Sequence, residues 1–426
     1  MRYPEFLKEN GKIGFIAPSF GCALGAYRWR FDRALLALSQ KGYVPVLGEN
    51  VYEARGVGIS NTPAMCAKEA NDFFLNDKSD VIISCGGGEL MCEVLPFMDF
   101  DKIAKAKPKW FVGYSDNTNF TFLLNTLCDT AAIYGPCAGA FMDEASYLEW
   151  NRIIMCNSGK SSAEIDEFAH NEYKAARDAF DLLCGKITRV SGCDKWYEEF
   201  ELENPDIQAV VWKASEVCDK KHSAEKNVQM QVNANAENQV NANAENQAYV
   251  YAESADFARE IEKNSDFTEH KYKQFLYKGC NELPEISFSG RLAGGCLDCL
   301  VNLAGTKFDK VSEFNKRYKD DGIIWFLESC DLNVMSQERS YWSLENAGWF
   351  ENAAGFIIGR PRCFEDSFGE LDHYKAALRI FAKYNVPIIL DAPIGHLGPA
   401  VPIISGAYGK ICAKKDSFEI EYGECD

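Results

Sequence analysis

The stretch KWFVGYSDNTNFTFLLNTL, residues 109–127, holds the pattern that decides the fold. A short apolar run at 110–112 leads through a glycine and a tyrosine to Ser115, and a second apolar pattern begins after Thr118. The first run predicts a buried strand and the second predicts a helix, so Ser115 is expected where the strand stops and the helix starts. Such a junction holds the backbone in place and can expose the serine hydroxyl.

Strand and helix patterns alternate along the chain before this stretch. The strand candidates are KIGFIAPS (12–19), YVPVLG (43–48) and DVIISCGGG (80–88), and the helical patterns are RWRFDRALLALSQKG (28–42), TPAMCAKEANDFFLND (62–77) and ELMCEVLPFMD (89–99). This alternation predicts a parallel α/β sheet, in which ligands bind beyond the carboxyl ends of the strands. Both Ser115 and the glycine loop at 86–88 would lie at that edge.

The remainder of the chain predicts a second domain of mixed α/β type. A helical pattern of mixed charge covers 145–185, and apolar segments resume at 286–306, 322–329, 354–361 and 386–403. We therefore predict an N-terminal domain at 1–165, a linker at 166–185 and a C-terminal domain at 186–426.

A polar insertion at about 205–280 interrupts the predicted C-terminal domain. The unit QVNANAEN occurs there twice in tandem, at 231–238 and 239–246. Two copies of such a short unit are too few to build a solenoid. We interpret the segment as a surface expansion that carries no chemistry.

The composition argues against several classes of protein. Apolar residues make up 47% of the 426 residues, enough for sizeable cores, and the formal charge of −18 argues against nucleic-acid binding, which needs a basic surface. Seventeen scattered cysteines are typical of free thiols in a reducing cytoplasm. The chain shows no apolar leader after its basic start and no apolar run of membrane-spanning length, so we expect neither a signal peptide nor a membrane span.

Two interpretations of Ser115 are open from its own stretch. At a helix start, the hydroxyl can cap unpaired backbone N–H groups. Alternatively, Ser115 is a nucleophile, and the N–H of Asp116 together with one from the glycine loop stabilises the oxyanion formed on attack at a carbonyl. Gly87 is the best candidate in that loop, although glycines also fit a plain turn and GYSDN departs from the GxSxG pattern.

A nucleophilic serine needs a base, and His396 is the best placed of five histidines. It follows the apolar strand VPIIL, in the loop DAPIGHLGPA. The others lie in polar sequence, with His373 expected on a solvated helix face; they are His170, His222, His270 and His373. A loop histidine held only by hydrogen bonds is the alternative for His396.

The base in turn needs a carboxylate that orients it. Glu328 ends the apolar strand IIWFLES, where a buried charge is costly unless it has a partner. Asp331 and Asp391 are competitors, and a core salt bridge with an arginine is the alternative for Glu328. Cys296 and Cys299 form a lone CxxC without a second pair at zinc spacing, so we favour core packing over metal or redox chemistry.

Taken together, these segments resemble peptidase family S66, the LD-carboxypeptidase and microcin C7 self-immunity (MccF-like) family. The matching segments, in chain order, are KIGFIAPS, the glycine loop with LPFMDFDKI, GYSDNT, YGP (134–136), SGRLAGGCLDCL, FLES and GHLG. The resemblance implies a flavodoxin-like or amidotransferase-like N-terminal domain and a smaller, swivelling, mixed α/β C-terminal domain. It also implies a cleft between the domains, frequent homodimers, and no metal or cofactor.

The same resemblance implies a Ser-His-Glu triad of Ser115, His396 and Glu328, which agrees with the residues chosen above. Immunity-type members cleave an amide in aminoacyl- or peptidyl-nucleotides, whereas murein LD-carboxypeptidases release a terminal D-alanine from tetrapeptides. The murein branch commonly has an arginine where Cys85 stands.

Lys195-Trp196 resembles a tryptophan-bearing loop of the immunity-type branch, where the ring can stack on a nucleobase; ordinary packing is the alternative for Trp196. These features favour the immunity-type branch, with Glu89 and Trp196 as candidate substrate-binding residues. A non-catalytic small-molecule binding protein, with Ser115 as a helix cap, stays open as a different class.

Overall fold

The computed structural model describes residues 1–23, 25–154, 161–193, 195–197, 269–271 and 273–423. The tandem QVNANAEN units and His222 lie outside these residues.

Six strands form the first sheet: β1 Lys12–Ile16, β2 Val44–Leu47, β3 Val81–Ser84, β4 Phe111–Gly113, β5 Ala132–Tyr134 and β15 Ile403–Ser405. Their order is β15-β5-β4-β3-β1-β2, and all neighbours are parallel except β15, which is antiparallel to β5. All four residues of β3 are buried, as its continuous apolar run requires for a strand covered on both faces. The predicted parallel α/β sheet is confirmed.

The helices of the first half are α1 Gly25–Gln40, α2 Pro63–Leu75, α3 Phe100–Ile103, α4 Thr118–Thr126, α5 Glu144–Ile154 and α6 Ser162–Leu183, and the first four of them lie between strands of this sheet. As predicted, α2 starts at Pro63 with Thr62 at the N-cap, although the Thr62 side chain makes no capping hydrogen bond. The predicted helix at 89–99 is wrong. This segment forms two short 3₁₀ turns, and Pro96, which lacks a backbone N–H, interrupts any longer helix.

Nine strands form the second sheet: β6 Arg189–Ser191, β9 Phe275–Lys278, β10 Asn281–Glu282, β11 Glu285–Cys296, β12 Ile323–Glu328, β13 Ala353–Gly359, β14 Pro387–Ala392, β16 Tyr408–Lys414 and β17 Ser417–Tyr422. The central strands β11 to β14 are parallel, and the flanking strands are antiparallel. Two further strands, β7 Lys195–Tyr197 and β8 Glu269–Lys271, form a separate antiparallel pair.

The helices of the second half are α7 Leu297–Leu303, α8 Val311–Arg317, α9 Val334–Asn346 and α10 His373–Phe381. None of the helices in the described part of the chain has the length and apolar character needed to cross a membrane.

The two sheets are packed together through apolar and polar contacts between the halves. Phe122 of α4 packs on Trp325 of β12 and on Trp349, with ring centroids 6.2 and 5.1 Å apart. Strand β15 comes from the C-terminal half yet pairs with β5 of the first sheet. The predicted linker at 166–185 falls mainly within α6, and the predicted domain limits stay predictions. Because β4, β12 and β14 present their carboxyl ends to the same region, the residues that follow them can meet.

Candidate active site

Ser115 lies in a tight turn between β4 and α4. Its φ is 60°, in the left-handed region that residues other than glycine rarely adopt. A 3₁₀ turn, Ser115–Asn117, then leads into α4. Gly113 permits the turn, because a Cβ there would lie 2.9 Å from the Cβ of Asn117. A strained conformation at such a position is typical of functional residues.

The structure brings Ser115, His396 and Glu328 together in one chain of hydrogen bonds. The Nε2 of His396 lies 2.8 Å from Ser115 Oγ, and its Nδ1 lies 2.7 Å from Glu328 Oε2. The Ser115 hydroxyl therefore contacts an imidazole, and Glu328 bonds to this histidine rather than to an arginine. The Tyr114 ring packs beside the imidazole, with centroids 5.3 Å apart. This arrangement can pass a proton from a hydroxyl to a base whose other nitrogen is held by a carboxylate.

Glu328 and His396 determine each other's charge. Burial opposes ionisation of Glu328, but attraction to His396 and hydrogen bonds from its neighbours outweigh burial and lower the pKa of the carboxyl. Burial likewise opposes a charged His396, but the Glu328 carboxylate, together with the neighbouring Cys330, outweighs burial and raises the pKa of the imidazole well above its usual value. The site therefore favours a carboxylate facing a strongly basic imidazole.

Gly395 allows the loop that carries His396 to approach Glu328. Its φ is 99°, and a Cβ at this position would lie 2.5 Å from Glu328 Oε2. Only glycine combines this backbone conformation with so close a contact. This geometry explains why a glycine directly precedes His396 in the sequence.

Gly87 and Asp116 lie next to Ser115, as an oxyanion site would require. A Cβ on Gly87 would lie 3.3 Å from Ser115 Oγ, so the backbone of the glycine loop runs alongside the hydroxyl. Asp116 follows Ser115 in the first turn before α4, where backbone N–H groups point away from the helix. That both amides face a group bound at Ser115 stays a prediction.

The Asp116 side chain has a second role, in anchoring the loops around the site. Its carboxylate accepts hydrogen bonds from Ser19 Oγ (2.6 Å), the Met91 backbone N–H (2.9 Å) and Asn119 Nδ2 (3.1 Å). Burial raises the pKa of Asp116, and these donors offset part of that effect. The carboxylate thus joins the loop after β1, the segment after the glycine loop and α4.

The two predicted substrate-binding residues lie in different settings. Glu89 is exposed, and partial burial together with the charges of Asp331, Asp116 and Asp298 raises the pKa of its carboxyl. His396 also acts on Glu89, so this carboxylate lies near the site. Trp196 lies in β7 opposite residue 270 of β8. Its contribution to substrate binding stays a prediction.

The competing carboxylates and histidines have other partners. Asp331 is 62% exposed and pairs with Arg362 at 3.6 Å. Asp391 accepts a hydrogen bond from Tyr374 (2.5 Å) and lies 3.3 Å from His373 Nε2. The expectation that His373 is solvated is wrong, because its side chain is only 11% exposed where α10 packs against the end of β14. His170 is exposed and pairs with Glu144 at 2.9 Å.

Tyr134 and Ser19 also belong to the site, and no sequence pattern predicts a role there for either of them. The Tyr134 hydroxyl donates to Glu328 Oε1 (2.5 Å) and accepts the Ser115 N–H (3.2 Å). Its only sequence signal is the YGP segment, which reads as an ordinary strand end. Ser19, in KIGFIAPS, reads as a loop residue.

Cys296, Glu328 and His396 are the one group of potential metal ligands in the part of the chain that the structure describes. However, Glu328 Oε2 and His396 Nδ1 are 2.7 Å apart. Two ligands of one tetrahedral zinc ion, each at about 2.0–2.2 Å from it, lie roughly 3.3–3.6 Å apart. The observed spacing is that of a hydrogen bond. Cys299, the other member of the CxxC, lies 3.7 Å through Sγ from the Ser115 carbonyl oxygen, so the pair packs directly against the site.

Two family profiles match the chain. The LD-carboxypeptidase N-terminal domain matches residues 13–135, and the LD-carboxypeptidase C-terminal domain matches residues 289–411. Together they cover more than half of the chain. Ser115 falls in the first matched segment, and Glu328 and His396 fall in the second.

Individual proteins extend this similarity. A protein of Vibrio cholerae named as a carboxypeptidase is 22% identical over 423 residues, which cover 99% of this chain and 98% of that protein. The microcin C7 self-immunity protein MccF of Escherichia coli is 32% identical over 130 residues, which cover 30% of this chain and 37% of MccF.

Solved structures of MccF share the fold. MccF in complex with glutamyl sulfamoyl guanosine superposes with a TM-score of 0.63 at 17% identity, covering 99% of this chain and 98% of that chain. MccF in complex with aspartyl sulfamoyl adenosine gives a TM-score of 0.63 at 17% identity, covering 100% of this chain and 99% of that chain. At these identities the likeness concerns the fold alone.

Proposed function

The chain belongs to peptidase family S66, the LD-carboxypeptidase family, and from this premise we propose that it is a serine hydrolase that cleaves an amide bond in a small substrate. The observation that carries the proposal is the chain of contacts from Ser115 Oγ to His396 Nε2 (2.8 Å) and from His396 Nδ1 to Glu328 Oε2 (2.7 Å). A structural serine would not need a basic imidazole on one side and a buried carboxylate behind it.

The reaction is acyl transfer through a covalent intermediate. His396 takes the proton of Ser115 as the serine oxygen attacks the amide carbonyl, and Glu328 holds the imidazole and stabilises its charged form. The N–H groups of Asp116 and Gly87 stabilise the oxyanion. His396 then protonates the leaving amine, and a water molecule activated by the same imidazole cleaves the acyl-enzyme.

The substrate class that we favour is an aminoacyl- or peptidyl-nucleotide amide, as in the MccF-like branch. Support comes from the MccF structures, whose ligands are aminoacyl sulfamoyl nucleosides, and from the segment of E. coli MccF that is 32% identical to this chain. Trp196 is proposed to stack on the base and Glu89 to contact the substrate. Cys85 is buried and stands where the murein branch commonly has an arginine.

The second candidate is a murein LD-carboxypeptidase that releases a terminal D-alanine. Support comes from the family's name and from the full-length similarity to the V. cholerae protein named as a carboxypeptidase. The reacting groups would be the same in both cases. Only the groove that binds the substrate would differ.

One experiment tests the function and separates the two substrates. Purified protein is incubated with aspartyl sulfamoyl adenosine and, separately, with a murein tetrapeptide that ends in D-alanine, and products are identified by mass spectrometry. We expect release of aspartate from the first substrate. Release of D-alanine alone would instead establish the murein activity.

The matched variants are Ser115→Ala and Ser287→Ala. Ser287 is an exposed residue of β11 outside the site, so its variant should keep full activity. Ser115→Ala should lose activity by about 10⁴-fold or more. Appreciable turnover by Ser115→Ala would contradict the nucleophile assignment, and cleavage of neither substrate by the wild-type protein would favour a non-catalytic binding protein.

We further propose a homodimer in a reducing cytoplasm. The family resemblance implies the dimer, which light scattering after size-exclusion chromatography tests. The cysteines in the described residues are free thiols, which is consistent with a reducing compartment.

A further inference from the structure

We propose that Tyr134 is a positioning residue, whose single hydroxyl holds the Ser115 turn and the Glu328 carboxylate in a fixed relation. The inference rests on the proposed function, because it concerns how the reacting groups are kept in place. The Tyr134 hydroxyl bonds to the Ser115 N–H and to the Glu328 carboxylate, so we expect its effect on the reaction to pass through these two residues.

The position of Tyr134 in the first sheet explains how it reaches both residues. It is the last residue of β5, pairs with Gly113 of β4 and is 3% exposed. Its ring packs on Phe326 of β12, with centroids 5.5 Å apart. The ring therefore lies between the strand that leads to Ser115 and the strand that ends in Glu328.

The directions of the two hydrogen bonds follow from the chemistry of the groups. A backbone N–H can only donate, so the Tyr134 oxygen accepts from Ser115 N at 3.2 Å. A phenol has one proton, and this proton goes to Glu328 Oε1 at 2.5 Å. Burial, together with the charge of Glu328, raises the pKa of Tyr134 well above its usual value, so the hydroxyl keeps its proton at physiological pH.

These bonds close a circuit through four residues. Tyr134 binds Glu328 through Oε1, and His396 binds the same carboxylate through Oε2 at 2.7 Å. His396 returns to Ser115 Oγ at 2.8 Å, and the Ser115 N–H returns to Tyr134. With both carboxylate oxygens held, Glu328 cannot rotate, and the imidazole that it orients is held too.

The circuit also determines which amides remain for the oxyanion. In several serine hydrolases the N–H of the nucleophile itself can serve that purpose. Here the Ser115 N–H is bonded to Tyr134. The oxyanion must then rely on Asp116 and Gly87, the amides that the proposed mechanism assigns.

The test compares Tyr134→Phe with Tyr147→Phe. Tyr147 is also buried, but its hydroxyl donates to the Ala140 carbonyl at 2.8 Å, outside the circuit. Both variants lose one buried hydroxyl, but Tyr134→Phe also leaves a buried carboxylate with one donor fewer, so its loss of stability should be the larger. The measurements are kcat, KM, the pH profile of kcat/KM on the substrate that the wild-type protein cleaves, and urea unfolding.

For Tyr134→Phe we expect kcat to fall about 10- to 100-fold, as loss of a hydrogen bond to a charged group predicts, with KM changed less than about twofold. Without the hydrogen bond from the phenol, the negative charge of the Glu328 carboxylate is less neutralised, so it attracts a protonated His396 more strongly. The imidazole then keeps its proton to higher pH, and the acid limb of the profile moves upward. Tyr147→Phe should leave kcat and the acid limb unchanged.

Two results would overturn the proposal. The first is a kcat for Tyr134→Phe within about twofold of wild type. The second is a fall in kcat while the acid limb of the pH profile stays in place or moves to lower pH, because a purely structural role would produce that result. Failure of the proposed function is recognised separately, because the wild-type protein would then cleave neither substrate or Ser115→Ala would remain active. An inactive Ser115→Ala beside a normal Tyr134→Phe would reject the positioning role alone.

Discussion

Ser115 and Glu328 each occupy a position that is unfavourable for the residue taken alone. The left-handed conformation of Ser115, with φ of 60°, costs roughly 1–2 kcal/mol for a residue with a Cβ. Glu328 is 1% exposed, and burial of its charge is opposed by desolvation. Both persist because their neighbours compensate: Tyr134 holds the Ser115 backbone, and His396 and Tyr134 supply the protons that Glu328 needs.

Replacement of Glu328 by glutamine tests the electrostatic coupling of the site. His396 must be neutral to accept the Ser115 proton, and the carboxylate raises the pKa of the imidazole well above its usual value. In the wild-type protein, kcat/KM should therefore rise with pH along an acid limb above about pH 6.5. Glu328→Gln removes the charge, so the acid limb should move to lower pH while kcat falls about 10³- to 10⁴-fold.

The control for this variant is Glu338→Gln. Glu338 is half-buried on α9 and pairs with the exposed Arg379 rather than with a triad residue, so its replacement should leave the pH profile unchanged. The two profiles are measured side by side by steady-state kinetics. An acid limb that stays in place in Glu328→Gln would show that Glu328 does not control the basicity of His396.

At the scale of the elements, the site depends on how strands end. Ser115 follows β4, Glu328 is the last residue of β12, and His396 follows β14. The chain of β14 adds one residue relative to β13 near its end, and Asp391 there has φ of 57°. Such a bulge redirects the chain, and His373 and Tyr374 of α10 hold it through the Asp391 carboxylate.

Gly395→Ala tests whether the loop after β14 must pass so close to Glu328. The new Cβ would lie 2.5 Å from Glu328 Oε2, and the φ of 99° disfavours any side chain. The loop must then shift, so we expect activity to fall more than about 100-fold and unfolding free energy to fall by about 1–3 kcal/mol. Activity assays and urea unfolding measure the two effects.

Gly369→Ala is the control that separates the cost of backbone strain from the cost of the close contact between residue 395 and Glu328. Gly369 also has a positive φ, 62°, but a Cβ there would meet nothing within 4 Å. This variant should lose only about 1 kcal/mol of stability and keep its activity. If Gly395→Ala behaved in the same way, the close approach of the loop to Glu328 would be unimportant.

Strand ends are also the features that the sequence predicts best. Ser115, Glu328 and His396 could be chosen because each follows an apolar strand with a reactive side chain, and chain order alone then places them at sheet edges. Tyr134 could not be found in this way, because a tyrosine at the end of the apolar segment AIYGP looks like an ordinary residue of the hydrophobic core. The pairing of His373 with Asp391 depends on how α10 packs against β14, and no local pattern encodes that contact.

At the scale of the whole molecule, the reacting groups come from both halves of the chain. Ser115 comes from the first sheet, whereas Glu328 and His396 come from the second half. Polar contacts join the halves at both ends of α4: near the site, Thr118 Oγ1 accepts the Cys296 N–H at 2.9 Å, and near the other end of the helix, Asn125 Nδ2 donates to the Ser405 carbonyl at 3.2 Å. Relative motion of the halves would therefore disturb the triad directly.

The shared core predicts that the two sheets unfold together. Proteins with separate domains often unfold in steps, but here Phe122 packs on Trp325 and Trp349 across the halves, and β15 completes the first sheet. Unfolding of either sheet would expose apolar surface on the other.

In urea, circular dichroism and tryptophan fluorescence should give coincident transitions, and hydrogen exchange should assign β3 and β12 the same free energy of opening. Thr118→Ala removes a contact between the halves. It should lower the free energy of unfolding by about 1 kcal/mol, and by the same amount whether unfolding is followed by circular dichroism or by fluorescence. A β12 that opens at lower urea than β3 would instead mean that the C-terminal half folds on its own, and that the triad is assembled by docking of two independent domains.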